Sequence, residues 1–136
     1  MSRFDEIAIG DALPERTFTA TNVSLFLYNA AIWNAHRIHY DAPYTTEVEK
    51  HPAVVIDGPL QGDWLSQCVL KWIGEDGDLT DFNYSNRRAA YLGETLTVAG
   101  EVVAKDPSAR TVEVTLSVKN GAGETIAPGG ATVRLP

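Results

Sequence analysis

The sequence predicts an α+β domain in which one long buried helix lies against an antiparallel sheet. Three observations carry this. Between Pro59 and Ile73, the residues Leu60, Trp64, Leu65, Cys68, Val69, Trp72 and Ile73 draw one broad apolar stripe down a helix. From Thr80 onward, apolar and polar residues alternate in segments of strand length, bounded by turn residues. The strands follow the helix as a group instead of alternating with it, which is the α+β arrangement. At 136 residues the chain is expected to form a single domain over residues 1–136.

Taken in order, Met1 to Arg16 form a lead-in segment punctuated by Gly10-Asp11 and Pro14. Glu15 to Thr21 reads as a short β-branched strand. A first helix follows, with Phe26, Ala30 and Trp33 near one stripe. Asp41 to His51 is expected to be a polar loop held irregular by Pro43 and Pro52. Ala53 to Ile56 is a buried strand-like run that stops at Asp57-Gly58. The long helix starts at Pro59, whose fixed φ and missing N–H suit the first helical position. Strands are expected over Thr80–Ala90, Glu94–Ala104, Arg110–Lys119 and Ala131–Leu135, with Asn120-Gly121 as a hairpin turn. Trp33, Trp64, Trp72 and Cys68 are assigned to the core and His51 to the surface.

Composition excludes several classes. A net charge of −7 argues against a nucleic-acid partner, because phosphate binding needs a basic face. Apolar runs are too short for a membrane span, and the first residues lack a signal-peptide core. A lone cysteine, Cys68, rules out an internal disulfide and fits a cytoplasmic location. No metal-ligand cluster or Gly-rich nucleotide loop is present, so no metal or cofactor is expected.

Chemistry concentrates in Tyr28 to Asp41. After Asn34 the helix gives way to crowded polar residues, with His36 and His39 flanking Arg37 and Ile38. Histidine takes and returns a proton near neutrality, whereas an amide such as Asn34 can hold a water but not deprotonate it. A histidine at a helix end also serves as a simple C-terminal cap. Downstream, Gly58-Pro59 is an ordinary helix start, and it equally leaves backbone N–H groups free at the positive end of the dipole. Arg87-Arg88 is the one adjacent basic pair, a solvated strand pair or an anion site.

The run Asn34, His36, Ile38, His39, Tyr40, Asp41, then Pro43-Tyr44, Glu47-Val48-Glu49 and Gly58-Pro59-Leu60 resembles the MaoC-like hydratase/dehydratase family of hot-dog folds. Within that family it is most similar to the hydroxyacyl-thioester dehydratase type 2 and mesaconyl-CoA hydratase branch. The resemblance implies a hot-dog domain, a long central helix wrapped by an antiparallel sheet. It implies a lyase acting on enoyl or 3-hydroxyacyl thioesters of coenzyme A or acyl carrier protein. His39 would be the acid/base, Asn34 its partner or the holder of the water, and the Gly58 amide the oxyanion donor. His36 and Arg37 would frame the site, Arg37 facing Asp41 or a carrier phosphate, with Arg88 on the substrate side.

In the wider family the residue matching Asn34 is commonly Asp, and in the resembled branch His commonly stands at the position of Asp57. Asp57 is therefore open to three readings: an anion opposing the oxyanion, an outward helix-terminal anion, or the carboxylate that Asn34 does not supply. Asp63 is expected to face solvent, with an acidic catalytic role as the alternative. Two other functions are carried alongside the lyase, a hot-dog thioesterase and a non-catalytic subunit. A dimer with an identical or different hot-dog subunit is expected.

Overall fold

The computed structural model describes residues 2–136. The elements run α1 (Arg3–Glu6), β1 (Arg16–Thr19), α2 (Asn22–Ala31), α3 (Gly58–Ile73), β2 (Asp78–Tyr84), β3 (Thr95–Asp106), β4 (Thr111–Lys119) and β5 (Thr125–Arg134). The five strands form one antiparallel sheet in the order β1-β3-β4-β5-β2. Helix α3 packs across this sheet, touching β2, β3, β4 and β5. This is the α+β, hot-dog arrangement the sequence implies.

The stripe on α3 becomes the centre of the core. Leu65 and Val69 are fully enclosed, and Trp64, Cys68 and Ile73 are buried beside them. Opposite lie the inward residues of the alternating strands: Leu96, Val98 and Val102 on β3, Val112, Val114, Leu116 and Val118 on β4. Trp64 stacks on Phe18 of β1 with ring centroids 4.6 Å apart, which ties the first strand to the helix. Gly62 lets Tyr84 lie directly on α3, since a Cβ there would come 2.4 Å from the phenol ring.

Several expectations change. Helix α2 buries Leu25 and Asn29, and Phe26, Ala30 and Trp33 face outward. With Val23, Leu25, Phe26 and Leu27 all apolar, the sequence of α2 has no single stripe to choose. Trp33 is not core but 95% exposed, and its φ of 57° turns the chain back so that Asn34 N–H reaches Asn29 O at 3.0 Å. The supposed loop after Asp41 contains a π-helical turn, Tyr44–Val48, tied by Thr45 and Thr46 hydroxyls to Asp41 O and Ala42 O. Val54, Val55 and Ile56 are buried as expected and Ala53 is half-buried, but their ladder shrinks to one bridge, Val55 to Tyr91. His51 and Trp72 are both half-buried.

Strand β5 starts six residues earlier than expected, at Thr125, and passes through Pro128-Gly129-Gly130. Gly129 is required by close approach. A Cβ on Gly129 would lie 2.6 Å from Asn83 O on the adjacent strand.

Candidate active site

Two chain segments meet at the start of α3. The first is the 3-10 turn Arg37–His39, fixed by the bond from Val55 N–H to Ile38 O at 2.9 Å. The second is the extended run through Val55 and Ile56 into Asp57, held by Ile56 N–H on Ala90 O and Leu92 N–H on Val54 O, both 2.8 Å. Together they bring His39 against Asp57, eighteen positions apart in sequence.

His39 is buried, and its Nδ1 lies 2.8 Å from Val55 O. A carbonyl only accepts, so Nδ1 carries the proton and Nε2 of the neutral ring is a free lone pair. Nε2 points at Asp57 Oδ2 across 3.5 Å. That is too long for a strong hydrogen bond and short enough for both atoms to act on one water.

Asp57 is completely enclosed. Its Oδ1 accepts from Asn29 Nδ2 at 3.0 Å, and its Oδ2 from Asn34 Nδ2 at 3.4 Å. Among the described residues, His39 is the one basic side chain within 4.0 Å of it. A buried carboxylate needs hydrogen bonds or an opposite charge, and this one has two amides plus a ring that becomes cationic on taking a proton. Of the three readings of Asp57, the inward partner of His39 is the arrangement observed. Asp57 makes no side-chain cap on α3.

Asn34 contacts Asp57, and its Oδ1 accepts from the His36 backbone N–H at 3.0 Å. The His36 ring stands edge-on to His39, with centroids 5.7 Å apart and planes at 86°. Gly58, next to Asp57, opens α3, and no described residue accepts from its N–H. Its amide is therefore available to a developing oxyanion.

The arginines are engaged elsewhere. Arg37 donates to Asp41 Oδ2 from Nε at 3.0 Å and Nη2 at 2.8 Å and lies over the Tyr44 ring. The Tyr44 N–H, followed by Arg37, holds the Asp41 carboxyl below its usual range. Arg88 pairs with Glu124 on the rim of a cavity beside α3. Asp63 is exposed, as expected. Tyr28 on α2 is pushed up to about 12, first by burial and then by Asp63 and Asp57, so its phenol stays protonated beside the site.

Sequence reasoning missed Asn29. It is 3% exposed, it donates to Leu25 O at 2.8 Å as well as to Asp57, and its Oδ1 has no partner. The signal was there: Asn29 lies four residues after Leu25, a polar residue on the buried face. Assigning the inward face to Phe26 and Ala30 hid it.

An apolar cavity of about 290 Å³ opens beside Asn29 and Asn34, walled by Phe26, Ala30, Trp33 and Tyr40. A second cavity lies at the first turn of α3. No group of three or more His, Cys, Asp or Glu side chains that could hold a metal is found among the described residues. Among them, too, no helix is long and apolar enough to cross a membrane.

This fold is that of MaoC-like hot-dog proteins. The sequence pattern of the hydroxyacyl-thioester dehydratase type 2 family matches residues 7–92, more than half of the chain, and the chain belongs to that family. It is 26% identical over 83 residues to the mitochondrial hydroxyacyl-thioester dehydratase type 2 of Saccharomyces cerevisiae, covering 61% of this chain and 29% of that protein. The chain spans less than a third of the length of the curated relatives it matches. Among solved structures, it resembles the unliganded R-hydratase PhaJ1 from Pseudomonas aeruginosa with a TM-score of 0.88. The two are 25% identical, with 98% of this chain and 84% of that one covered. A chain of the ChsH1-ChsH2 complex from Mycobacterium tuberculosis shares the fold with a TM-score of 0.84 at 16% identity, covering 95% of this chain and 98% of that one.

Proposed function

We propose that this hot-dog module is a hydro-lyase that hydrates an enoyl thioester reversibly, or dehydrates the corresponding 3-hydroxyacyl thioester. The observation that carries the reading is the pair His39 Nε2 and Asp57 Oδ2, 3.5 Å apart, beside the free Gly58 N–H. In the hydration direction, His39 Nε2 takes a proton from water as the oxygen bonds to Cβ. The π electrons move to Cα and the thioester oxygen, where the Gly58 N–H stabilises the negative charge. Asp57 stabilises the imidazolium through its negative charge on the Nε2 side of the ring. The imidazolium then protonates Cα. One water has been added and His39 is restored.

The test is the loss of enoyl-thioester absorbance with crotonyl-CoA and with longer or bulkier enoyl-CoAs, run beside an assay for free thiol. Absorbance loss without thiol release is the expected result. Thiol release without hydration would replace the lyase with the thioesterase alternative. The non-catalytic alternative is disfavoured by the buried pair itself, since enclosing a carboxylate is costly in a subunit that has no use for it.

The working unit proposed is a dimer with a second hot-dog chain, identical or different, in the cytoplasm. Support comes from α2 and the turn after it, where Val23 is 67%, Phe26 59%, Leu27 60% and Trp33 95% exposed, a contiguous apolar face beside the site. Trp33→Glu is expected to shift a wild-type dimer towards monomer in light scattering. A wild type that is monomeric at micromolar concentration rules out the homodimer and leaves the pairing with a different chain.

A further inference from the structure

Asn29 sits on the inner face of α2, one turn after the fully enclosed Leu25. An amide in such a place needs a reason, and its hydrogen bonds supply one. Nδ2 donates to Leu25 O at 2.8 Å and to Asp57 Oδ1 at 3.0 Å, while the buried Oδ1 of the same amide meets no donor. The orientation is forced. A flipped amide would set its oxygen against two acceptors, the Leu25 carbonyl and the Asp57 carboxylate. The orphan oxygen is the consequence of turning both N–H groups inward. Buried polar atoms are rarely left unbonded, so a contact that strands one points to a use beyond the fold.

Of the two acceptors, only Asp57 depends on Asn29. The Leu25 carbonyl lies inside α2 and already takes the backbone N–H of residue 29 in the helical ladder. Asp57 Oδ1 has no other donor among the described residues. The second oxygen, Oδ2, faces His39 Nε2 at 3.5 Å and the Asn34 amide at 3.4 Å. Neither contact is short enough to hold the plane of a carboxylate by itself. Asn34 is also half-buried in the turn after Trp33, whereas Asn29 is 3% exposed on a helix whose start is closed by a capping box. The firm grip on Asp57 is the one on Oδ1.

We infer that Asn29 is a positioning residue of the proposed hydro-lyase: by holding Oδ1 it fixes the plane of the Asp57 carboxylate and keeps Oδ2 turned towards His39. The inference rests on the reading above, in which His39 and Asp57 work as a pair. Asn29 borders the apolar cavity, but both its N–H groups are engaged and its Oδ1 is enclosed. No polar atom of it is left for water or thioester. It acts through Asp57.

The test is Asn29→Leu, which matches the branched shape of asparagine and removes the donor, made in the wild type and in Asp57→Asn. With crotonyl-CoA, kcat is expected to fall about 10- to 100-fold in the single variant, the worth of one hydrogen bond to a charged group, with KM within about 2-fold. In Asp57→Asn the same substitution should change kcat less than about 2-fold, since a residue acting through the carboxylate has nothing left to act on. A crystal structure of Asn29→Leu should show Asp57 Oδ2 turned away from its 3.5 Å approach to His39 Nε2. Asn29→Ala repeats the set should the leucine protein fail to fold. Unchanged kcat in the single variant overturns the inference, and so does an equal loss in both backgrounds. So does a carboxylate that keeps its place. The crystal structure also separates this inference from the lyase reading. A turned carboxylate in a protein that hydrates none of the enoyl-CoAs keeps the role of Asn29 and removes the lyase. An unmoved carboxylate with wild-type turnover intact removes Asn29 and leaves the lyase.

Discussion

Replacing His39 with alanine is expected to lower kcat for enoyl-CoA hydration by about 10²- to 10⁴-fold, the usual worth of a positioned general base. The reason is specific to the ring's orientation. Nδ1 is committed to Val55 O at 2.8 Å, so Nε2 is the one atom able to take a proton, and it faces the carboxylate that stabilises the resulting charge. KM should change little, because the ring acts on the water and the developing charge, not on the ground-state thioester. Alanine also strands the Val55 carbonyl, which costs about 1–3 kcal/mol of stability. His39→Asn separates the two effects. Its amide can donate to Val55 O in place of Nδ1, so unfolding should stay near wild type, while no atom remains to accept a proton. Activity lost in both variants with the asparagine protein stable assigns the loss to chemistry. Turnover unchanged in either would remove His39 from the mechanism.

The helix that carries the site was legible, and the reason is physical. On α3 the apolar positions occupy one face, so periodicity and burial agree at Trp64, Leu65, Cys68, Val69 and Ile73. The same holds for β4, where Val112, Val114, Leu116 and Val118 alternate and point inward. Helix α2 is apolar on several faces, and only tertiary packing selects Leu25 and Asn29. The first half of β5 was hidden because Pro128, Gly129 and Gly130 are poor strand residues taken alone. Their strand conformation comes from pairing between β4 and β2. At the site, His39 and Asn34 could be read from local order. The direction of Asp57 could not, since it depends on contacts with residues 28 and 18 positions away.

Asp57→Asn is expected to lower kcat by about 10²-fold or more, and adding Asn34→Asp to it should restore activity to within about 10-fold of wild type. The two side chains meet, Asn34 Nδ2 lying 3.4 Å from Asp57 Oδ2, so a carboxylate at either position comes close to the same point beside His39. In the wider resemblance Asp stands where this chain has Asn34, and here the acid enters from the start of α3 instead. Asp57→Asn keeps the shape and an oxygen for Asn29 Nδ2 to meet, but removes the charge that stabilises the imidazolium. Asn34→Asp alone should also be impaired, because two carboxylates at that separation cannot both ionise and one must hold a proton. The prediction is thus an ordered set: wild type highest, the double variant next, and both single variants well below. Full activity in Asp57→Asn would remove Asp57 from the mechanism. A double variant no better than Asp57→Asn would mean that the amides of Asn29 and Asn34 orient the carboxylate at position 57 in a way that position 34 cannot reproduce, and the site would then depend on where its charge is anchored as much as on having one.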